Sequence, residues 1–140
     1  MTTIVNPQVP FTRPIPGGLA PGRTMTVEGA IPPRSDRFAI NLQCGSADIA
    51  FHFNPRFGDQ CIVRNSYISG HWGAEETSGG MPLVRGEQFE AEFKCSEGHF
   101  TVNLNGKHFC DFPHRIPYHK ITHINVDGDV NIRQVSFADA

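Results

Sequence analysis

The chain has no run of apolar residues near the ~20 that cross a bilayer as a helix. Its opening, "MTTIVNPQVPF", carries no basic stretch leading into an apolar one, so no export signal is expected and synthesis in the cytosol follows. Charge is sparse as well. Only 19% of the residues are charged and the net charge is −2, which leaves no basic stripe for nucleic acid or for an anionic membrane. The expected partner is uncharged, or charged only locally. Cys44, Cys61, Cys95 and Cys110 lie far apart with no C-x-x-C pair, so a zinc site or redox motif has no support. Free thiols are the expectation, two disulfides in an exported protein being the alternative. The 7 histidines show no H-x-H or H-E-x-x-H spacing, so neither a metal nor another cofactor is implied. No segment of ten or more residues repeats its apolar positions at a helical period, and no internal repeat or low-complexity run occurs.

What is present is punctuation. The 14 glycines and 11 prolines separate short runs rich in Val, Ile, Phe and Thr, the pattern of many short strands. Strands are expected at "TMTVEGAI", "RFAINLQC", "DIAFHFN", "CIVRNSY", "EQFEAEFKC", "HFTVNLN", "KHFCDF", "ITHINVD" and "DVNIRQVSF". Asn105-Gly106 suits a type I′ hairpin turn, which needs positive φ at both central residues, and Asp127-Gly128 reads as a second hairpin. Such spacing predicts an all-β fold, two antiparallel sheets packed face to face as a sandwich or jelly roll. The proline-rich "PQVPFTRPIPGGLAPG" lacks the N–H donors for long ladders and is expected along a sheet edge. At 140 residues the chain is expected to form one domain over 1–140, with its core in about 10–138.

The stretch "DIAFHFNPRFG" alternates two chemistries. On a strand Ile49, Phe51 and Phe53 point to one face, while Asp48, His52, Asn54 and, through Pro55, Arg56 point to the other. If the next strand pairs with it across "RFGDQ", Asn65 projects beside His52 and Asn54, whereas Arg64 faces away. Trp72, the single tryptophan, and Glu75 have opposite parity, so they serve one face only if the chain bends or bulges at Gly73. Imidazole, amides, guanidinium, carboxylate and indole on one open face suit a sugar: planar polar groups address hydroxyls, and an aromatic ring covers a patch of C–H. Galactose fits well, because its axial O4 leaves C3–H, C4–H and C5–H as one apolar surface.

"HFNPR", "VRN" and "WGAEE", in that order and spacing, resemble the carbohydrate-recognition domain of the galectins, with a flavour closest to invertebrate single-domain members. The resemblance runs nearly the whole chain, from "VPFTRPIPGGLAPG" to "HRIPYHKITHINVDGDVNIRQVSF". It implies a galectin/concanavalin-like sandwich of about eleven strands that binds β-galactosides without Ca²⁺. It further implies that His52, Asn54 and Arg56 hold the galactose O4, that Asn65 and Glu75 hold O6, and that Trp72 stacks on the ring. Arg56 and Glu75 would reach the neighbouring sugar. One position departs: where the family motif W-G-x-E-x-R ends in arginine, this chain has Thr77, which puts the second-sugar subsite in question. The implied partners are galactose-containing glycans, glycoproteins or glycolipids, with a homodimer possible. The implied location is both cytoplasmic and extracellular, by a route without a signal peptide.

Two other functions compete. A sandwich that keeps the fold but has lost useful sugar affinity would be an interaction domain, an option that Thr77 leaves open. A glycosidase needs two carboxylates flanking one bond, and the adjacent Glu75 and Glu76 on an extended stretch point to opposite faces, so an enzyme is not expected.

Overall fold

Apolar residues at every second position give each strand one face to bury, and two such sheets bury those faces against each other. The structure is a computed structural model that describes residues 2–139. Its strands are β1 (Thr2–Val5), β2 (Phe11–Pro14), β3 (Thr24–Ala30), β4 (Phe38–Cys44), β5 (Asp48–Arg56), β6 (Cys61–Ile68), β7 (His71–Trp72), β8 (Gln88–Cys95), β9 (His99–Leu104), β10 (Lys107–Pro113), β11 (His123–Gly128) and β12 (Asn131–Ala138). They form two six-stranded sheets, ordered β1-β12-β3-β8-β9-β10 and β2-β11-β4-β5-β6-β7. Every pairing within them is antiparallel. The fold is therefore the expected all-β sandwich, and the one helical element among the described residues is a 3-10 turn at Tyr118–Lys120. The proline-rich stretch does lie along a sheet edge, since its one strand, β2, is outermost in its sheet; β1, which precedes the stretch, is outermost in the other.

The core between the sheets is rich in phenylalanine. Phe51 of β5 stacks on Phe112 of β10 at 4.2 Å between ring centres and meets Phe93 of β8 edge-on at 5.8 Å. Met25 and Val27 of β3, Phe89 and Ala91 of β8, and Ile40 and Leu42 of β4 complete the contact. Truncating a ring as central as Phe51 to alanine would cost about 3–5 kcal/mol, because its neighbours cannot collapse into the void. The four cysteines are free thiols, which removes the disulfide alternative. Burial pushes the Cys95 and Cys110 thiols up to about 11, well away from thiolate chemistry at neutral pH.

Two sequence expectations need correction. Asn105-Gly106 does turn β9 into β10, with φ of 51° and 82°. Asp127-Gly128, however, makes no hairpin: β11 pairs with β2 and β4 in one sheet, and β12 with β1 and β3 in the other. The glycine serves a close crossing instead. A Cβ on Gly128 would sit 2.7 Å from the Arg37 carbonyl oxygen, and Asp129 beyond it accepts the Asp36 N–H at 2.9 Å. The second correction concerns β5. Ile49 lies opposite Tyr67 and His52 opposite Asn65, so three steps on β5 match two on β6 and the strand carries a bulge. Residues opposite one another share a face, so Ile49 lies on the face of His52 and Asp48 leaves the polar row. The Asp48 carboxylate accepts the Ser69 N–H at 3.1 Å instead.

Candidate functional site

One face of the β4-β5-β6-β7 sheet forms an open depression of about 570 Å³, lined by His52, Asn54, Arg56, Asn65, Trp72 and Glu75 among others. Pairing of β5 with β6 puts Asn65 directly opposite His52, as the strand parity requires. Trp72 lies opposite Tyr67, yet Glu76 bridges Arg64, so four steps on this segment span three on β6. That extra residue brings Glu75 round to the side of Trp72, and it is the bulge that their opposite parity demanded. Arg64 turns inward: it is buried, donates to the Ile62 and Ser78 carbonyls, and lies over the Phe109 ring. Thr77 is exposed and does not line the depression.

The protonation of His52 is dictated from across the sheet. Asn125 on β11 donates through Nδ2 to the Phe11 carbonyl at 3.1 Å, an acceptor that cannot reverse, so its Oδ1 must accept. Asn41 Nδ2 on β4 donates to that Oδ1 at 2.9 Å, leaving the Asn41 Oδ1 to accept from His52 Nδ1 at 2.6 Å. Nδ1 therefore carries the proton and Nε2 is left as an acceptor. Burial, and secondarily the Arg56 guanidinium, lowers the imidazole to about 4, so it is neutral at physiological pH.

The other side chains are held as firmly. Asn54 is 4% exposed; its Nδ2 donates to the Phe38 carbonyl at 2.8 Å and its Oδ1 accepts from Arg56 Nε at 2.8 Å. This leaves one amide N–H of Asn54 and the terminal nitrogens of Arg56 as donors. Arg56 Nη2 lies 4.0 Å from Glu75 Oε2, a half-exposed pair. Trp72 is 53% exposed, its indole wedged at 4.8 Å from the His52 ring and 5.0 Å from Tyr67. Such a ring is braced from behind and open in front.

Sequence reasoning missed Arg115, which follows β10. Its guanidinium donates to Asn65 Oδ1 (2.8 Å), Ser66 Oγ (3.1 Å), the Ala74 carbonyl (2.8 Å) and Glu76 Oε2 (3.0 Å). It also lies over the Phe112 ring at 4.8 Å. The one hint in the sequence is Thr77, which stands where the family motif carries a guanidinium.

A jelly-roll sandwich with this open polar face defines the architectural class, and the comparisons resolve the family. Residues 10–137 match the galactoside-binding lectin family model. The chain belongs to that family, the galectins. It is 42% identical over 136 residues to rat galectin-4, covering 94% of this chain and 42% of that protein. To rat galectin-8 it is 38% identical over 140 residues, covering 96% and 44% respectively. The chain thus spans less than half the length of these curated relatives. Among solved structures, Caenorhabditis elegans galectin LEC-6 superposes with a TM-score of 0.90 at 30% identity, covering 97% of this chain and 95% of that one.

Proposed function

We propose that this chain is a Ca²⁺-independent lectin for β-galactosides, a binding protein and not an enzyme. The observation that carries the reading is the convergence of six complementary groups on one depression, with the donors and acceptors of His52, Asn54 and Arg56 already fixed by their neighbours. Axial O4 of galactose donates to His52 Nε2 and accepts from Arg56 and the free N–H of Asn54. O6 accepts from the one free N–H of Asn65 and donates to the Glu75 carboxylate. The C–H face of the pyranose covers the open side of Trp72. Glucose, with O4 equatorial, would leave His52, Asn54 and Arg56 without the hydroxyl they are arranged to meet.

The second sugar would be met by Arg56 and Glu75 alone, since Thr77 supplies no guanidinium there. A preference for a residue other than glucose or N-acetylglucosamine after galactose follows. Glycoproteins and glycolipids with terminal galactose are the proposed partners. Two copies of a weak site gain avidity by pairing, which makes a homodimer the functional form proposed here. Retention on lactosyl resin, with elution by free lactose, tests the reading. Passage of the folded protein through the column unretained, on lactosyl and on other galactosyl resins, would refute it.

A further inference from the structure

We propose that Arg115, which does not line the depression, is the positioning residue that fixes the Asn65 amide and so sets discrimination for the galactose 6-hydroxyl. The inference rests on the galactoside reading above. Asn65 Oδ1 accepts two hydrogen bonds, from the Ser66 N–H at 2.8 Å and from Arg115 Nη1 at 2.8 Å. Its Nδ2 donates to the Gly73 carbonyl at 3.1 Å. Both acceptor positions of the amide are thereby engaged, and one N–H is left over for a ligand. A flipped amide would aim its two N–H groups at a guanidinium and a backbone N–H, donor against donor. The Ser66 N–H and the Gly73 carbonyl already oppose that flip, and Arg115, a guanidinium with no acceptor to offer, adds a third opposing group and holds Oδ1 in place.

The same guanidinium anchors the segment that carries Trp72 and Glu75. It grips the Ala74 carbonyl and Glu76 Oε2 on one side and Asn65 and Ser66 of β6 on the other. Its Cζ lies over the ring of Phe112, which belongs to the opposite sheet. Gly73 is the space this clamp needs: a Cβ there would come within 2.9 Å of Arg115 Nη1 and 3.1 Å of Asn65 Oδ1. Arg115 therefore does for the loop, from beneath, what no side chain at Thr77 does from the surface. Lysine cannot replace it, since one ammonium cannot span Asn65, Ala74 and Glu76 together.

The test compares methyl β-galactoside with methyl 6-deoxy-β-galactoside by calorimetric titration of the parent, Arg115→Gln and Arg115→Lys. The parent should prefer the 6-hydroxylated sugar by roughly tenfold, the ratio that well-made hydrogen bonds to O6 give. In Arg115→Gln the ratio should fall toward one, and in Arg115→Lys to an intermediate value. A role confined to stability would weaken both sugars alike and leave the ratio untouched. If circular dichroism shows that Arg115→Gln does not fold, Arg115→Lys carries the test alone, and its ratio must still fall. A folded variant with the parent's ratio overturns the inference while the galactoside reading stands. A parent that binds neither sugar overturns that reading, and this inference with it.

Discussion

Replacing Trp72 by alanine removes the one broad apolar surface in the depression. An indole side chain carries about 150–250 Å² of area, and with the residue 53% exposed on the order of 100 Å² faces solvent. A pyranose face covers roughly half of that, ~50 Å², and loses a like area of its own C–H surface. At ~25 cal/mol/Å² the joint burial contributes about 2.5 kcal/mol, of which the alanine methyl retains a fraction. The expected loss is about 2 kcal/mol, or ~30-fold in affinity. Fold stability should change far less, by about 1 kcal/mol, because Trp72 is half exposed on a two-residue edge strand, with the His52 and Tyr67 rings beside it. Titration with lactose beside a thermal melt separates the two quantities. A variant that melts like the parent and binds lactose within twofold of it would refute the stacking argument.

Four further outcomes follow from the same geometry. Lactose affinity should be flat across neutral pH and fall below about pH 4, approaching tenfold per pH unit as His52 Nε2 is protonated, with a midpoint near 6.5 contradicting the desolvated imidazole. Because the folded value lies below the ordinary 6.5, the neutral ring stabilises the fold fully above that pH, and this contribution fades as pH drops from 6.5 toward 4. Arg56→Lys should lower galactose affinity by about tenfold, since lysine cannot hold Asn54 through Nε while presenting two terminal nitrogens. Thr77→Arg should raise N-acetyllactosamine affinity by up to about tenfold, through a new pair with Glu75, and leave free galactose unchanged; equal disaccharide affinities in calorimetry would place second-sugar specificity elsewhere.

The strands and the polar row were legible because alternation is local: "FHFN" announces a buried Phe51 and Phe53 with His52 and Asn54 opposite. The bulge that carries Asp48 off that row was not, because it exists only relative to the register of β6. The bulge between Trp72 and Glu76 could be demanded from parity and placed at Gly73, but its form depends on the bridge to Arg64. Asp127-Gly128 misled because a hairpin and a crossing between sheets both use a glycine at positive φ, here 94°. What separates them is the partner of each strand, a tertiary fact. Arg115 and the Phe11-Asn125-Asn41 chain behind His52 escaped notice for the same reason, since they join residues scores of positions apart.

The central claim is that this face reads an axial O4 through a neutral His52, and calorimetric titration with methyl β-galactoside and its C4 epimer, methyl β-glucoside, tests it most directly. Losing a charge-assisted hydrogen bond from Arg56 and leaving His52 without a partner should weaken the glucoside by about 2 kcal/mol or more, so at least ~30-fold. Binding of the galactoside with the glucoside weakened to that degree is the predicted result. Equal affinity for the two epimers, or a tighter glucoside, would contradict the account.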